Sequence, residues 1–177
     1  MKKWMILLIC LCLTVFTAFA EEEVMELKLG EEELAAMTPL GEYQQIELQN
    51  APTVKFWIPT LAMKSVDVST VEGPFKPAAL YMTADESCSV IIFKQEVASV
   101  DEYAALMETQ GGGSNFNKLK IHDTVCTSYE VVDANMECLI YPVTENVILV
   151  FSFTPLKGDE GWEVMKSVIC TTIEPAE

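Results

Sequence analysis

His122 is the only histidine in the chain, and Cys126 follows four residues later. An imidazole beside a thiol is a pairing used for nucleophilic catalysis, because the ring takes the thiol's proton. Along an extended strand, however, four residues span about 13 Å, so only a bend at His122-Asp123 would bring the two together. His122-Asp123 reads better as a tight turn, since both residue types tolerate positive φ. Gly111-Gly112-Gly113 has the glycines of a phosphate loop, but the Lys-Ser/Thr is missing and a strand follows where a helix is needed. It reads as a linker. Asp133, Asn135 and Glu137 are spaced like the opening of a calcium loop without its Gly or distal Glu, and a polar hairpin turn is the simpler reading. Asp85-Glu86 and Asp159-Glu160 read as a turn and a helix start. One histidine leaves a transition metal short of ligands unless thiols join it. No catalytic residue, cofactor or metal is therefore assigned.

Carboxylates are the abundant chemistry: 27 Asp and Glu stand against 11 basic residues, for a formal charge of −16. Two carboxyls about 5 to 10 Å apart across a cleft suffice for glycoside hydrolysis. A cell-envelope hydrolase using paired carboxylates is thus the alternative reading, although nothing in the sequence pairs two of them. Every basic residue is Lys, with no Arg anywhere. Arg is the usual bidentate clamp for phosphate and base edges, so its absence and the negative charge argue against nucleic acid and anionic lipid. Suitable partners are cationic, apolar, or met through backbone. Tyr43 and Trp57 are the candidate partner contacts, because they fall in the least regular half of the chain. Beside Pro59, Trp57 also reads as core filler.

The first twenty residues are an address. Lys2 and Lys3 precede an apolar run from Trp4 to Phe16, and Thr17-Ala18-Phe19-Ala20 ends in the small-x-small pattern that signal peptidase accepts. The run is about 13 residues, short for a membrane span. Ile9 and Leu11 before Cys10 and Cys12 are too large for a lipid-anchor site, so the thiols read as small hydrophobes. Residues 1–20 are read as a signal peptide cleaved after Ala20, which makes the protein secreted or extracytoplasmic. The leader carries two basic residues and no acidic ones, so the remaining chain has a formal charge of −18. Residues 21–41 read as an acidic, partly disordered arm, and 42–177 as a single domain. Such a chain is expected to stay soluble and monomeric, with nothing to insert into a bilayer.

Period-two patterns dominate the domain. Strands are predicted over 43–48, 54–58, 78–83 and 87–97, with 60–76 irregular. Ser99 and Glu102 form a capping-box pair, and Val100, Tyr103, Ala104 and Met107 recur at helical spacing, which predicts a helix over 99–109. Four strands follow, over 118–121, 124–132, 136–141 and 147–154. Asp159 starts a final helix to about 169, with Trp162, Met165, Val168 and Ile169 on its buried side. Strands broken by two helices without βαβ alternation indicate α+β, and turns this short make the meander antiparallel. The second and fourth meander strands are apolar enough for one face to be covered by both helices.

The matching stretches Phe56-Trp57-Ile58-Pro59, Ser99-Val100-Asp101-Glu102-Tyr103, Ser128-Tyr129-Glu130 and Phe151-Ser152-Phe153-Thr154-Pro155 fall within this layout. Over roughly residues 42–175 it resembles the PsbP-like group of small exported α/β sandwiches, especially the bacterial members. The resemblance implies a sandwich of antiparallel sheet and helices, and a protein that assists other proteins or membrane complexes without a catalytic centre. An exported, non-enzymatic binding or accessory protein with an envelope partner is therefore the leading reading. The four cysteines past the leader, Cys88, Cys126, Cys138 and Cys170, suit either disulfides or buried thiols. If Asp133-Ala134-Asn135 is a three-residue loop, Cys138 lies opposite Glu130. Cys126 is then about 13 Å away, too far for a disulfide.

Overall fold

Strands are the commonest element of this chain, which the computed structural model describes over residues 24–71 and 76–176. The signal peptide read at 1–20 lies outside those residues, as do 21–23 and 72–75 of the segments read as acidic and irregular. The described chain opens with β1 (Met25–Glu26) and α1 (Glu31–Met37), then β2 (Glu42–Ile46), β3 (Val54–Ile58) and β4 (Met63–Ser65). Next come β5 (Ala79–Thr83), β6 (Ser89–Glu96) and α2 (Val100–Thr109). The meander is β7 (Ser114–Ile121), β8 (Thr124–Val131), β9 (Met136–Thr144) and β10 (Val147–Thr154), followed by α3 (Glu160–Thr171) and β11 (Glu174–Pro175).

Eight strands form one sheet in the order β1-β7-β8-β9-β10-β6-β5-β4, and β11-β3-β2 form a second. All pairs are antiparallel except β1 with β7. The fold is α+β.

The expectation that both helices cover one face is corrected. On one face of the large sheet, Val100, Tyr103, Ala104 and Met107 of α2 pack on Tyr129, Cys138, Ile140, Ile148 and Val150. On the other, Trp162, Val168 and Ile169 of α3 and Phe56 and Ile58 of the small sheet join Leu139, Leu149, Phe151 and Phe153. The reason lies in β10. Its apolar run is buried at both parities, so each face needs its own cover.

Local signals held where they were chemical. Ser99 Oγ accepts the Glu102 N–H at 3.1 Å, and Asp159 Oδ1 accepts the Trp162 N–H at 2.9 Å. His122 adopts φ 52° in a two-residue turn between paired Ile121 and Thr124.

Three further differences are physical. A 3₁₀ turn over Val132–Ala134 and a left-handed Asn135 make four turn residues, not three, so Cys138 lies opposite Tyr129 rather than Glu130. Cys126 faces the α3 side and Cys138 the α2 side, and all four described cysteines are free thiols. Part of the expected irregular segment forms β4 on β5. Residues 24–40, read as a loose acidic arm, are tied down: β1 pairs with Leu119 and Lys120, and Leu27, Leu29 and Met37 pack on the core. Alternating leucines gave this segment an apolar side that its glutamates obscured.

Candidate functional site

The helix α3 carries one residue that its apolar stripe should exclude. Lys166 lies one turn beyond buried Trp162 and has a side chain only 7% exposed. Burying an ammonium is costly unless its donors are satisfied. Lys166 Nζ donates to Glu137 Oε2 on β9 at 2.6 Å, to Glu163 Oε2 at 2.9 Å and to the Leu156 carbonyl at 3.0 Å. Burial alone would lower the Lys166 pKa, but the hydrogen bonds and charges of Glu137 and Glu163 reverse this and raise it. Burial would raise Glu163. The Gly158 N–H, at 3.0 Å from Oε1, and the Lys166 ammonium outweigh it and hold the carboxyl below its usual value.

The local fold sets this geometry. Trp162 Nε1 donates to the Pro155 carbonyl at 2.8 Å, and the Trp162 ring meets Phe153 edge-on at 6.4 Å. These contacts fix the first turn of α3 against β10, which brings the next turn, with Lys166, over β9. Asn135 accepts the Leu156 N–H on both its backbone and side-chain oxygens, so the segment carrying the Leu156 carbonyl is held too.

Beside the triad is a cavity of about 320 Å³ between α3, β1 and the sheet. Met25, Leu27, Leu119, Leu139 and Phe153 supply apolar walls, and Asn117, Ser128, Glu137 and Ser167 supply polar ones. Cys170 lines it as well, with a thiol that burial pushes up. Such a cavity can hold a small ligand. A second, of about 510 Å³, lies along α2 over Phe93, Tyr129, Met136 and Val150. At its base Cys138 Sγ lies 3.4 Å from Ser152 Oγ, and burial raises the Tyr129 and Cys138 pKa values.

The residues singled out in the sequence do not converge. His122 is exposed at its turn while Cys126 is buried, with a thiol that burial pushes up to about 12. Asn135 holds Leu156 and Glu137 holds Lys166, so two of the three residues spaced like a calcium loop are tied to separate structural partners. Among the described residues no three His, Cys, Asp or Glu side chains are grouped to hold a metal. Asp85 Oδ1 accepts from Thr83 and Ser87, and these bonds draw its pKa down to about 2 within a turn.

Tyr43 and Trp57 are cross-strand neighbours with different fates. Tyr43 is 48% exposed, with the Lys55 ammonium 5.8 Å from its ring centre. Trp57 is 1% exposed, because the backbone at Gly41 lies against its indole. Its burial removes it from the surface contacts available to a partner. Lys166 is not among the residues that the sequence singles out. Its one signal was a lysine in an apolar stripe, three residues after Glu163.

No family model and no curated protein matches the chain. Among solved structures it is similar to cyanobacterial PsbP (CyanoP) from Synechocystis sp. PCC 6803. The two are 10% identical, with 84% of this chain and 98% of that one covered and a TM-score of 0.47. It is also similar to a crystal structure from Bacteroides thetaiotaomicron VPI-5482. There the identity is 14% and the TM-score 0.47, with 78% of this chain and 49% of that one covered. The chain thus spans about half the length of the Bacteroides protein. No described helix is long and apolar enough to cross a membrane.

Proposed function

We propose that the protein is an exported, non-enzymatic binding or accessory protein that holds a small ligand in the cavity beneath α3. One observation carries this reading: the cavity's charged groups are engaged with one another. All three Lys166 donors have acceptors, and Glu163 uses one oxygen on Lys166 and the other on Gly158. A site of this kind can orient a ligand, but with Lys166 and Glu163 committed it leaves Glu137 as a single carboxylate with a free oxygen, short of the acid and base pair that hydrolysis needs. The hydrolase alternative needs one carboxyl kept protonated as the acid. Glu163 moves the opposite way. Export is carried by the leader pattern, and half-exposed Tyr43 on β2 remains the surface contact proposed for an envelope partner.

The test is mass spectrometry under non-denaturing conditions, on protein recovered from its source envelope. A bound small molecule should accompany the wild type and be lost from Ser167→Trp, which fills the cavity. The same complement of bound molecules in both proteins rejects the reading. Sequencing the secreted protein's N-terminus should begin at Glu21, and a start at Met1 rejects cleavage.

A further inference from the structure

We infer that the cavity beneath α3 selects a monocationic amphiphile, an ammonium group carried on a compact apolar body; this rests on the binding reading above. The charge balance points to it. Glu137 and Glu163 add two carboxylates to the lining, and Lys166 supplies a single ammonium. One negative charge is left over, and a monocation closes the balance.

The sides of the triad are not equivalent. Lys166 is 7% exposed and its donors point to Glu137, Glu163 and the Leu156 carbonyl, so it cannot turn to greet an anion without breaking one of them. Glu163 has both oxygens engaged. Glu137 is the available acceptor: it lines the cavity, is 40% exposed and meets Lys166 through Oε2, while Oε1 takes no hydrogen bond from the described residues. Ser128 and Asn117 add neutral acceptors on the same lining.

Behind this polar side stand Leu119, Leu139 and Phe153, with Met25 able to adjust to the shape of a ligand. A volume of about 320 Å³ lies at the small end of ligand cavities, which suits a short tail and excludes a long acyl chain. The net charge of −16 adds a long-range bias toward cations and against anions.

Three probes of equal length separate charge from tail: n-hexylammonium, 1-hexanol and hexanoate. Each is titrated into protein expressed from the full chain, at low salt and pH 7, with amide resonances of Leu139 and Ser167 as the readout. Hexylammonium should bind about tenfold tighter than hexanol, the size of one charge-assisted hydrogen bond, and hexanoate should bind weakest. Glu137→Gln should weaken hexylammonium about tenfold, toward the level of hexanol. Added salt should weaken hexylammonium alone, and this series needs no variant, so it decides the matter if Glu137→Gln folds poorly. Hexanol binding as tightly as hexylammonium at Leu139 and Ser167 overturns the cationic class while the cavity remains a binding site. If none of the three probes moves those resonances, both this inference and the binding reading fall.

Discussion

Replacing Lys166 by Met removes the buried ammonium and keeps the aliphatic stem, which separates the two jobs of this residue. Glu137 and Glu163 are 40% and 49% exposed, so solvent screens each ion pair to about 0.5 kcal/mol. The bond to the Leu156 carbonyl contributes about 1.5 kcal/mol. Against this stands the cost of taking an ammonium out of water, which can match or exceed such gains. Lys166→Met should therefore fall within about 1 kcal/mol of wild type. Lys166→Ala also empties the volume of the stem beneath α3 and should cost about 2–4 kcal/mol.

Urea unfolding at pH 7, with equal m-values, measures both variants. Equal losses for Met and Ala would refute the reasoning, since they would show that charge rather than packing holds α3. The pH dependence gives a second check with a fixed sign. Glu163 is held below its reference value of 4.5, so its contribution is present above that pH and fades as pH falls through the folded value. Lys166 is raised above 10.5, so its contribution is present below that pH and is lost as pH climbs past the folded value. The gap between wild type and Lys166→Met should shift in favour of the variant from pH 7 to pH 3. A gap that moves the other way contradicts the assignment of Glu163.

Removing both Glu137 and Glu163 as leucines while keeping Lys166 should cost about 3–5 kcal/mol, because it strands a buried ammonium, and the same urea titration reads it. Gly41→Ala should lose about 2 kcal/mol of unfolding free energy, because its Cβ would sit 2.1 Å from the Ile58 carbonyl and 2.5 Å from the Trp57 ring. Thiol labelling of the native protein at pH 8, mapped by peptide, should modify partly exposed Cys88 well before Cys126, whose buried thiol is pushed up to about 12. Equal labelling of the two would place Cys126 at a surface.

Features written in adjacent residues were legible in the sequence. The Ser99 and Asp159 caps, the His122-Asp123 turn and the apolar stripe of α2 each depend on a few neighbouring side chains, and each is present. The register of β8 with β9 differs by one residue from the sequence expectation, because whether Val132 belongs to the turn depends on the 3₁₀ geometry of 132–135. β1 gave no period to read: it has two residues and docks parallel on an edge strand over ninety positions away.

The triad was hidden for a related reason. Glu163 and Lys166 are helical neighbours, but Glu137 is 29 residues from Lys166 and meets it only after α3 has crossed β9. The choice of Lys at this point also follows from the geometry. Its three acceptors come from α3, from β9 and from the segment after β10, and they converge on one atom. A compact ammonium with three freely rotating donors can meet them, whereas the planar guanidinium of Arg spreads its donors along a fixed fork. In a chain without Arg, Lys166 thus meets acceptors from a helix, a central strand and the connection between them at a single point beside the cavity.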